Sequence, residues 1–408
     1  MAKPSLSILV ALHGGGLSGV DTYAEQVASA AASQGHTVTL LAVGPTAAEE
    51  LRVRLEETGV GVVATAAFRH TRWRRLARQV PTTALVELRE LTTSALGATG
   101  AHFDVAHLNH PALAPAARPF AARVAAGAWF YPHRPLARAA ETWRHTGGLF
   151  PRSGALAAKS LAHYLNDRYG YRRCDIVVAP TERLAAELRS MRITAVAVPP
   201  PAAAPAEIVI DRVARERGAC RLMICCGDLA HPRKNVRAGI AAVGLLAGGG
   251  RPLELVLVGG NADRLEGALR SLPASVKVRA TGTLARPVIQ RWMADSDALL
   301  VPSLYEEWGY VATEAMIIGT PVAAFPVSPF DEVLVPPLGV AATEMTAQSL
   351  AHAIRTAIET GADRGAVRDA AVARLGAAEV SRRLQAAWTA SPNGVAEPAQ
   401  AGASGVPS

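Results

Sequence analysis

The sequence predicts an α/β protein made of two doubly wound domains. Apolar runs bounded by turn residues alternate with amphipathic stretches along most of the chain, which is the rhythm of parallel strands connected by helices. This rhythm stops once, in a proline-rich stretch at residues 199–207, and then starts again. The length of 408 residues is sufficient for two domains that each bury a core. The linker therefore divides the chain near residue 205.

The first predicted domain, residues 1–205, opens with a buried strand followed by a helix. Its strand candidates are continuous runs rich in Val, Ile, Leu and Ala, a pattern typical of parallel strands covered on both faces. They lie at 6–12, 37–43, 104–108, 126–131, 175–180 and 195–199, and the first helical pattern occupies 20–35. We expect a mostly parallel sheet with helices on both faces.

The second predicted domain, residues 206–375, repeats this order. Strands are predicted at 222–227, 253–260, 277–282, 298–303 and 321–327, with helices at 235–248 and 286–295. A helical tail covers 346–390, and its last helix, 376–390, is expected to pack back on the N-terminal domain. Residues 391–408 are rich in Ala, Gly, Ser and Pro, so we expect them to be disordered.

Composition excludes several classes of protein. Half of the residues are apolar and 19% are charged, which argues against a disordered chain. No uncharged run reaches the roughly 18 apolar residues of a membrane-spanning helix, and the N-terminal segment lacks a signal-peptide cleavage site. The four cysteines, at positions 174, 220, 225 and 226, form no CxxC pair and have no nearby histidine at ligand spacing. We expect a cytoplasmic protein without a metal site, a disulfide framework or a nucleic-acid partner.

The basic residues are unevenly distributed. Residues 1–205 hold 22 Lys and Arg against 14 Asp and Glu, whereas residues 206–408 hold 20 of each. Within the basic half, the segment 69–80 places arginines on both sides of an apolar stripe at helical spacing. We expect a surface helix that packs this stripe on the N-terminal sheet. The alternative is a segment that rests on the inner face of an anionic membrane and presents a lipid acceptor.

Two glutamates mark the strongest candidate site. Glu306 and Glu314 lie eight positions apart around Gly309. Since the strand at 298–303 ends just before and a helix begins near Gly309, Glu306 occupies the loop at the carboxyl end of a parallel strand, where open α/β sheets bind ligands. The helix N-terminus attracts phosphate, and a carboxylate can accept from two neighbouring hydroxyl groups. Two such acceptors on either side of a phosphate site would fit a nucleotide-sugar. The alternative is that both glutamates are ordinary solvated carboxylates.

The segment PSLYEEWGYVATEAMIIGTPVAA, at 302–324, resembles the donor-site segment of the retaining glycosyltransferases of family 4, which have the GT-B fold. Every fixed element of the pattern P-S-x-x-E-x-[FW]-G-x-x-x-x-E-A-x-x-x-G-x-P-V is present. The resemblance implies two Rossmann-like domains that face each other across a cleft. Residues 1–205 would bind the acceptor and residues 206–375 the nucleotide-sugar donor.

The same resemblance assigns roles within this segment. Glu306 would contact hydroxyl groups of the donor sugar, and Glu314 would contact the ribose hydroxyls. The diphosphate would lie against backbone N–H groups around three consecutive residues, Gly309, Tyr310 and Val311.

A second segment, CCGDLAHPRKN at 225–235, resembles the family's G-R-L…K stretch, whose Arg and Lys neutralise the leaving diphosphate. Lys234 matches the lysine, but Asp228 stands where the family has arginine. Either Arg233 substitutes for that arginine or the cationic clamp is weaker. Gly259 and Gly282 match turns whose backbones approach the nucleotide.

Other matches are partial. The glycine-rich loop at 13–23 supplies Gly16 and Gly19 as donor-binding candidates. His110 matches a histidine that approaches the far edge of the donor sugar and is a candidate catalytic residue, with a capping or structural role as the alternative. His133 matches a further loop histidine. The segment 328–334 replaces the usual glycine-rich donor loop, although Glu332 aligns with its glutamate.

The resemblance implies glycosyl transfer with retention, by front-face displacement, without a metal or another cofactor. The co-substrate would be a nucleoside-diphosphate sugar, with UDP favoured over GDP, and the acceptor a natural product or a cell-envelope glycolipid. Two alternatives share the fold. One is a sugar-nucleotide epimerase, and the other is a non-catalytic partner subunit that binds nucleotide-sugars.

Overall fold

The computed structural model describes residues 5–11, 19–42, 44–66, 81–109, 111–128, 165, 168–202, 218–249 and 251–390. Within these ranges the chain forms two parallel sheets with helices packed against them, as predicted. No helix in the described ranges has both the length and the apolar character needed to cross a bilayer.

The N-terminal sheet has seven described strands, all parallel, in the order β3-β2-β1-β4-β5-β6-β7. The strands are β1 Ser7–Ala11, β2 Thr37–Ala42, β3 Gly61–Ala64, β4 Phe103–Leu108, β5 Ala121–Gly127, β6 Ile176–Ala179 and β7 Ala195–Ala197. The helices of this domain are α1 Gly19–Ser33, α2 Pro45–Leu55, α3 Pro81–Thr99, α4 Ala114–Ala117 and α5 Glu182–Ser190. The order reverses between β1 and β4, as in a Rossmann sheet.

The C-terminal sheet repeats this topology with six described strands, in the order β10-β9-β8-β11-β12-β13. The strands are β8 Cys220–Asp228, β9 Leu253–Gly260, β10 Val276–Gly282, β11 Ala298–Val301, β12 Val322–Ala324 and β13 Gly339–Ala341. The helices that follow are α6 Val236–Leu246, α7 Glu266–Leu269, α8 Arg286–Ala294, α9 Tyr310–Ile318, α10 Phe330–Val333, α11 Ala347–Thr360, α12 Arg364–Leu375 and α13 Ala377–Thr389. Here the order reverses between β8 and β11.

The last helix, α13, leaves the C-terminal domain and packs into the core of the N-terminal one, where Leu384 and Trp388 are buried beside β1 and α1. The indole Nε1 of Trp388 donates to Nδ1 of His107 at 3.1 Å, and the other ring nitrogen lies 2.9 Å from the Tyr23 hydroxyl. Burial lowers the pKa of His107 to about 3, so the ring is neutral and both nitrogens serve this network. The network ties the C-terminal helix to β4 and α1.

Two parts of the N-terminal sheet differ from the prediction. The strand expected at 126–131 lies instead at Ala121–Gly127, and residues 129–131 fall outside the described ranges. The strand is alanine-rich, and alanine is a poor strand former, so pairing with β4 on one side and β6 on the other makes it a strand. The short edge strand β3 was not predicted, because four residues with a glycine at the start carry little signal.

Candidate functional site

The two loops that carry the strongest sequence candidates meet at the switch point of the C-terminal sheet. Strand β8 leads into the turn Pro232–Lys234, and its neighbour β11 leads into the loop with Glu306. The backbone N–H of Leu304 donates to the carbonyl oxygen of Arg233 at 2.8 Å, which joins the loops. Because chain connections diverge here, a crevice opens at the carboxyl ends of the strands.

This crevice is a cavity of about 360 Å³. Its walls come from β8, the turn after it, the end of β11 and the first residues of α9. The lining residues are Ile224, Cys225, Cys226, Gly227, Arg233, Lys234, Val236, Leu300, Val301, Pro302, Ser303, Glu306, Glu307, Trp308, Gly309, Tyr310, Val311 and Ala312. The structure thus brings together six of the predicted site residues in one cavity: Arg233, Lys234, Glu306, Gly309, Tyr310 and Val311.

Glu306 is the centre of the polar contacts in this cavity, although only 7% of it is exposed. One carboxylate oxygen accepts from Lys234 Nζ at 2.5 Å and from Ser303 Oγ at 2.8 Å, and the other lies 3.3 Å from Arg233 Nη1. Two cations thus flank this nearly buried carboxylate, and Glu307 supplies a second carboxylate to the cavity lining. Arg233 and Lys234 therefore contact the same carboxylate, one on each oxygen.

The N-terminus of α9 forms the next wall of the cavity. Gly309 is the residue before the helix and has a left-handed conformation, with φ of +82°. A Cβ there would lie 2.7 Å from the Phe330 ring, so glycine is required for space as well as conformation. No side chain of the described residues caps this helix. The first N–H groups of α9 are therefore available to an anion, which the helix dipole also attracts.

Glu314 lies in the second turn of α9 and does not line the cavity. Its carboxylate accepts from Arg286 Nη2, the first residue of α8, at 2.7 Å. Burial raises the pKa of Glu314, and the Arg286 charge and hydrogen bond act against that rise. Arg286 carried no motif signal, so sequence reasoning missed it.

Asp228 does not replace the missing arginine chemically. Its Oδ1 accepts from Asn261 Nδ2 at 2.9 Å and from the N–H of Ala230 at 3.0 Å, so it orders the loop after β8. The Asn261 hydrogen bond is the main cause that lowers the pKa of Asp228. Gly259 lies near the end of β9, two positions before Asn261. A Cβ at Gly259 would lie 1.9 Å from the Cys226 carbonyl oxygen, so no larger residue fits there. Gly282 ends β10, next to the loop that leads to Arg286.

The two adjacent cysteines, which lie in the strand predicted at 222–227, also line the cavity. Burial is the main cause that raises the pKa of Cys225 to about 12 and that of Cys226 to about 11. Both thiols are thus neutral near pH 7 and give this wall an uncharged surface rather than a nucleophile.

Glu332 lies away from the cavity and joins the domains instead. Its two carboxylate oxygens accept from the N–H groups of Glu182 and Arg183 at 2.9 and 3.2 Å, at the N-terminus of α5. Arg183 also pairs with Asp331 at 3.1 Å. A carboxylate at a helix N-terminus is favourable, so α10 of one domain is attached to α5 of the other.

Most of the N-terminal candidates lie outside the described residues. Gly19 is the first residue of α1, while Gly16, His110, His133, the segment 69–80 and the tail 391–408 lie outside the described residues. In the part of the chain that the structure describes, no group of His, Cys, Asp and Glu is arranged to hold a metal ion.

Two family models match the chain one after the other. A model described as Glycosyltransferase Family 4 matches residues 17–203, and one described as Glycosyl transferases group 1 matches residues 220–360. The chain belongs to the group 1 glycosyltransferases. In this family member the first match ends within the predicted linker and the second begins at the first strand of the C-terminal sheet, so one model corresponds to each sheet.

Among curated proteins, this group 1 chain is similar to the 2-deoxystreptamine glucosyltransferase of Streptomyces kanamyceticus, with 34% identity over 173 residues. That match covers 39% of this chain and 44% of the relative's length, so the chain spans less than half of the relative.

Solved structures confirm the GT-B fold. Anabaena HepE in complex with UDP-glucose has a TM-score of 0.59 at 16% identity, over 93% of this chain and 98% of that one. A glycosyltransferase from Rickettsia africae gives 0.65 at 13% identity, over 95% and 98% of the two chains. Sucrose-phosphate synthase from Thermosynechococcus elongatus gives 0.63 at 16% identity, over 93% and 97%.

Proposed function

We propose that this protein transfers a glycosyl group from a nucleoside-diphosphate sugar to a hydroxyl group of an acceptor, with retention of the anomeric configuration. The observation that carries the proposal is the meeting of Glu306, Lys234 and Arg233 in one cavity beside the uncapped start of α9. A sugar diphosphate has hydroxyl groups that need acceptors and phosphates that need cations and N–H donors. This cavity offers both.

In the proposed reaction, the bond between the anomeric carbon and the diphosphate oxygen breaks as the acceptor oxygen bonds to the same face of that carbon. The departing diphosphate takes the acceptor's proton. Lys234, Arg233 and the N–H groups of α9 stabilise the negative charge that grows on the diphosphate. Glu306 holds the sugar hydroxyls. Since the chain itself supplies these cations, we propose that transfer needs neither a metal nor another cofactor.

The donor nucleotide and the acceptor are further parts of the proposal. We propose a UDP-sugar and a small natural-product acceptor, and the second choice is supported by the relative that is named a 2-deoxystreptamine glucosyltransferase. The rival acceptor is a cell-envelope glycolipid at the inner face of a membrane. The family arginine that is missing at position 228 is the feature that favours a non-catalytic partner subunit, and the contacts of both Arg233 and Lys234 with Glu306 argue against that alternative.

A transfer assay tests this proposal. The protein is incubated with UDP-glucose, UDP-N-acetylglucosamine, UDP-galactose or GDP-mannose, each with 2-deoxystreptamine and with lipid acceptors. We expect a glycosylated product by mass spectrometry, an α-linkage by proton NMR from an α-linked donor, and unchanged rates in EDTA. Conversion of the donor to its epimer without an acceptor would support the epimerase instead. Inversion of configuration would contradict the retaining mechanism.

The choice between the two acceptor classes has its own measurement. If a lipid acceptor is used, the protein should co-sediment with phosphatidylglycerol vesicles at low salt and lose this binding as salt screens the charges. We expect no such binding, in keeping with a small polar acceptor. Salt-sensitive binding to anionic vesicles that is absent with neutral phosphatidylcholine vesicles would favour the glycolipid.

Removal of the cavity cations should affect the reaction step more than donor binding. We expect Lys234→Ala to lower kcat, with a rise of about 2 kcal/mol or more in the activation free energy, and to raise the donor KM by a smaller factor. The reason is that the charge opposite Lys234 grows as the bond breaks. Arg233→Ala should have a similar effect of smaller size, since its contact is longer. The check is steady-state kinetics with the donor varied. If neither change lowers kcat, the diphosphate is held elsewhere.

A further inference from the structure

Arg286 and Glu314 form an ion pair between α8 and α9, beside the cavity but outside it. Nη2 of Arg286 lies 2.7 Å from Oε1 of Glu314, and the exposed fractions of the two side chains are 50% and 14%. Lys234 and Arg233 are both engaged with Glu306. In the described residues, Arg286 is therefore the cation that is paired with Glu314.

The position of Arg286 gives no benefit to its own helix. It is the first residue of α8, where the positive end of the helix dipole disfavours a cation. The side chains that stabilise the start of a helix are acidic or capping ones. The pairing with Glu314 accounts for an arginine there, and the partial exposure of Arg286 means that its removal leaves no large buried hole.

We propose that Arg286 is a positioning residue that orients Glu314 and keeps it charged for binding the ribose of the nucleotide. The inference rests on the proposed donor site, in which Glu314 accepts hydrogen bonds from the two ribose hydroxyls. A carboxylate offers two acceptor oxygens to such a diol, whereas a protonated carboxyl group has lost part of that capacity. Arg286 occupies Oε1 from the side of α8 and leaves further lone pairs of the carboxylate for the ribose.

The charge of Glu314 depends on few neighbours. Arg286 faces it from α8, Cys225 from β8 and Tyr310 from its own helix. Burial raises the pKa values of both Cys225 and Tyr310, so these groups stay neutral through the range in which a carboxyl titrates. Without Arg286, the pKa of Glu314 rises further, because burial then acts unopposed. Nucleotide binding should therefore weaken as the pH falls.

Titration with UDP tests this, because UDP carries the ribose and needs neither the correct sugar nor an acceptor. Dissociation constants are measured by calorimetry between pH 5.5 and pH 8 for the wild type and for Arg286→Gln, Arg286→Lys and Glu314→Gln. We expect Arg286→Gln to bind UDP about tenfold more weakly at low pH and to approach the wild type at high pH, as loss of a charged hydrogen-bond acceptor implies. Lysine should restore most of the affinity.

Two controls make the result specific. Arg291→Gln removes an exposed arginine from the same helix and should leave UDP binding unchanged. The ratio of variant to wild-type affinity at each pH cancels the titration of the UDP phosphate itself. With 2′-deoxy-UDP, Arg286→Gln should cost clearly less than with UDP, since the diol is incomplete.

Each of the following results would overturn the inference. UDP affinity of Arg286→Gln equal to that of the wild type at every pH would exclude the positioning role. An equal loss at every pH, or the same loss with 2′-deoxy-UDP, would indicate a structural role only. If the wild type binds neither UDP nor GDP, ADP or dTDP, the proposed function fails as well. If the wild type binds UDP but Glu314→Gln binds it equally well, the inference fails and the donor site stands.

Discussion

Replacement of Glu306 by glutamine is expected to lower kcat/KM for glycosyl transfer, with a loss of about 2–4 kcal/mol in transition-state stabilisation, which leaves little measurable activity. The change removes a charged hydrogen-bond acceptor at the end of the cavity that would hold the sugar. Glutamine has nearly the same size, so the protein should stay folded. The amide also presents an N–H donor, which cannot pair with Lys234 or Arg233, so these cations become available to the diphosphate.

Because the cations are released, the affinity for UDP provides a second test of the prediction. UDP should bind Glu306→Gln at least as tightly as it binds the wild type, while transfer is lost. Glu266→Gln, at an exposed glutamate of the same domain, is the matched control and should keep wild-type activity. Transfer by Glu306→Gln within tenfold of the wild type would show that Glu306 does not hold the donor sugar.

The second large effect is a loss of stability. It comes from a buried ion-pair network at the amino ends of the strands of the C-terminal sheet, opposite the cavity. Arg221, at the start of β8, is fully buried, and its guanidinium pairs with Glu254 at 2.8 Å and with Asp295. It also lies 5.1 Å from the centre of the Trp292 ring. Glu254→Ala removes one of the carboxylates that pair with this buried cation, and the same change leaves Arg279 without its contact to Glu254 at 3.2 Å. We expect the free energy of unfolding of the C-terminal domain to fall by about 3–5 kcal/mol.

Thermal unfolding followed by circular dichroism checks this prediction. Glu266→Ala is the control, since Glu266 pairs with Arg270 on the surface at 67% and 74% exposure, and its loss should cost less than about 0.5 kcal/mol. Because Glu254 lies at the amino ends of the strands, the folded fraction of Glu254→Ala should keep its nucleotide affinity. A stability change as small as that of the control would mean that the buried network contributes nothing net.

The parts of the site that the sequence predicted are those encoded by local order. A strand, a loop with Glu306, and a glycine before a helix follow each other within a dozen residues, so a helix start was predicted near Gly309, and α9 begins at Tyr310. The parallel topology then brings the loops after β8 and β11 together, since both end at the same edge of the sheet. Lys234, which was assigned from the resemblance to the family's lysine, lies in the loop after β8 and contacts Glu306.

Pairings between distant segments were not predictable in this way. Arg286 and Glu314 meet because α8 and α9 pack side by side, and nothing in either segment marks its partner. Glu332 aligned with a donor-loop residue, yet its carboxylate lies at the N-terminus of α5, 150 positions earlier in the chain. Helix packing and domain contact decide both cases, and a single sequence carries no periodic signal for either.

The role of a buried histidine was also not predictable from the sequence. In the stretch DVAHLNHP, His110 was the functional candidate, and it lies outside the described residues. His107, three positions earlier, matches no motif, yet it links α1, β4 and the C-terminal helix through Tyr23 and Trp388. Its partner Trp388 is 281 positions away, so only the tertiary structure reveals the role.

The most direct test of the central claim is a crystal structure of the protein with UDP bound. We expect the diphosphate to lie against the N–H groups of Tyr310 and Val311, with Lys234 and Arg233 within hydrogen-bonding distance of the phosphate oxygens and the ribose diol on Glu314. A nucleotide that binds elsewhere, or that leaves Lys234, Arg233 and the start of α9 without contact to phosphate, would contradict the assignment of this cavity as the donor site.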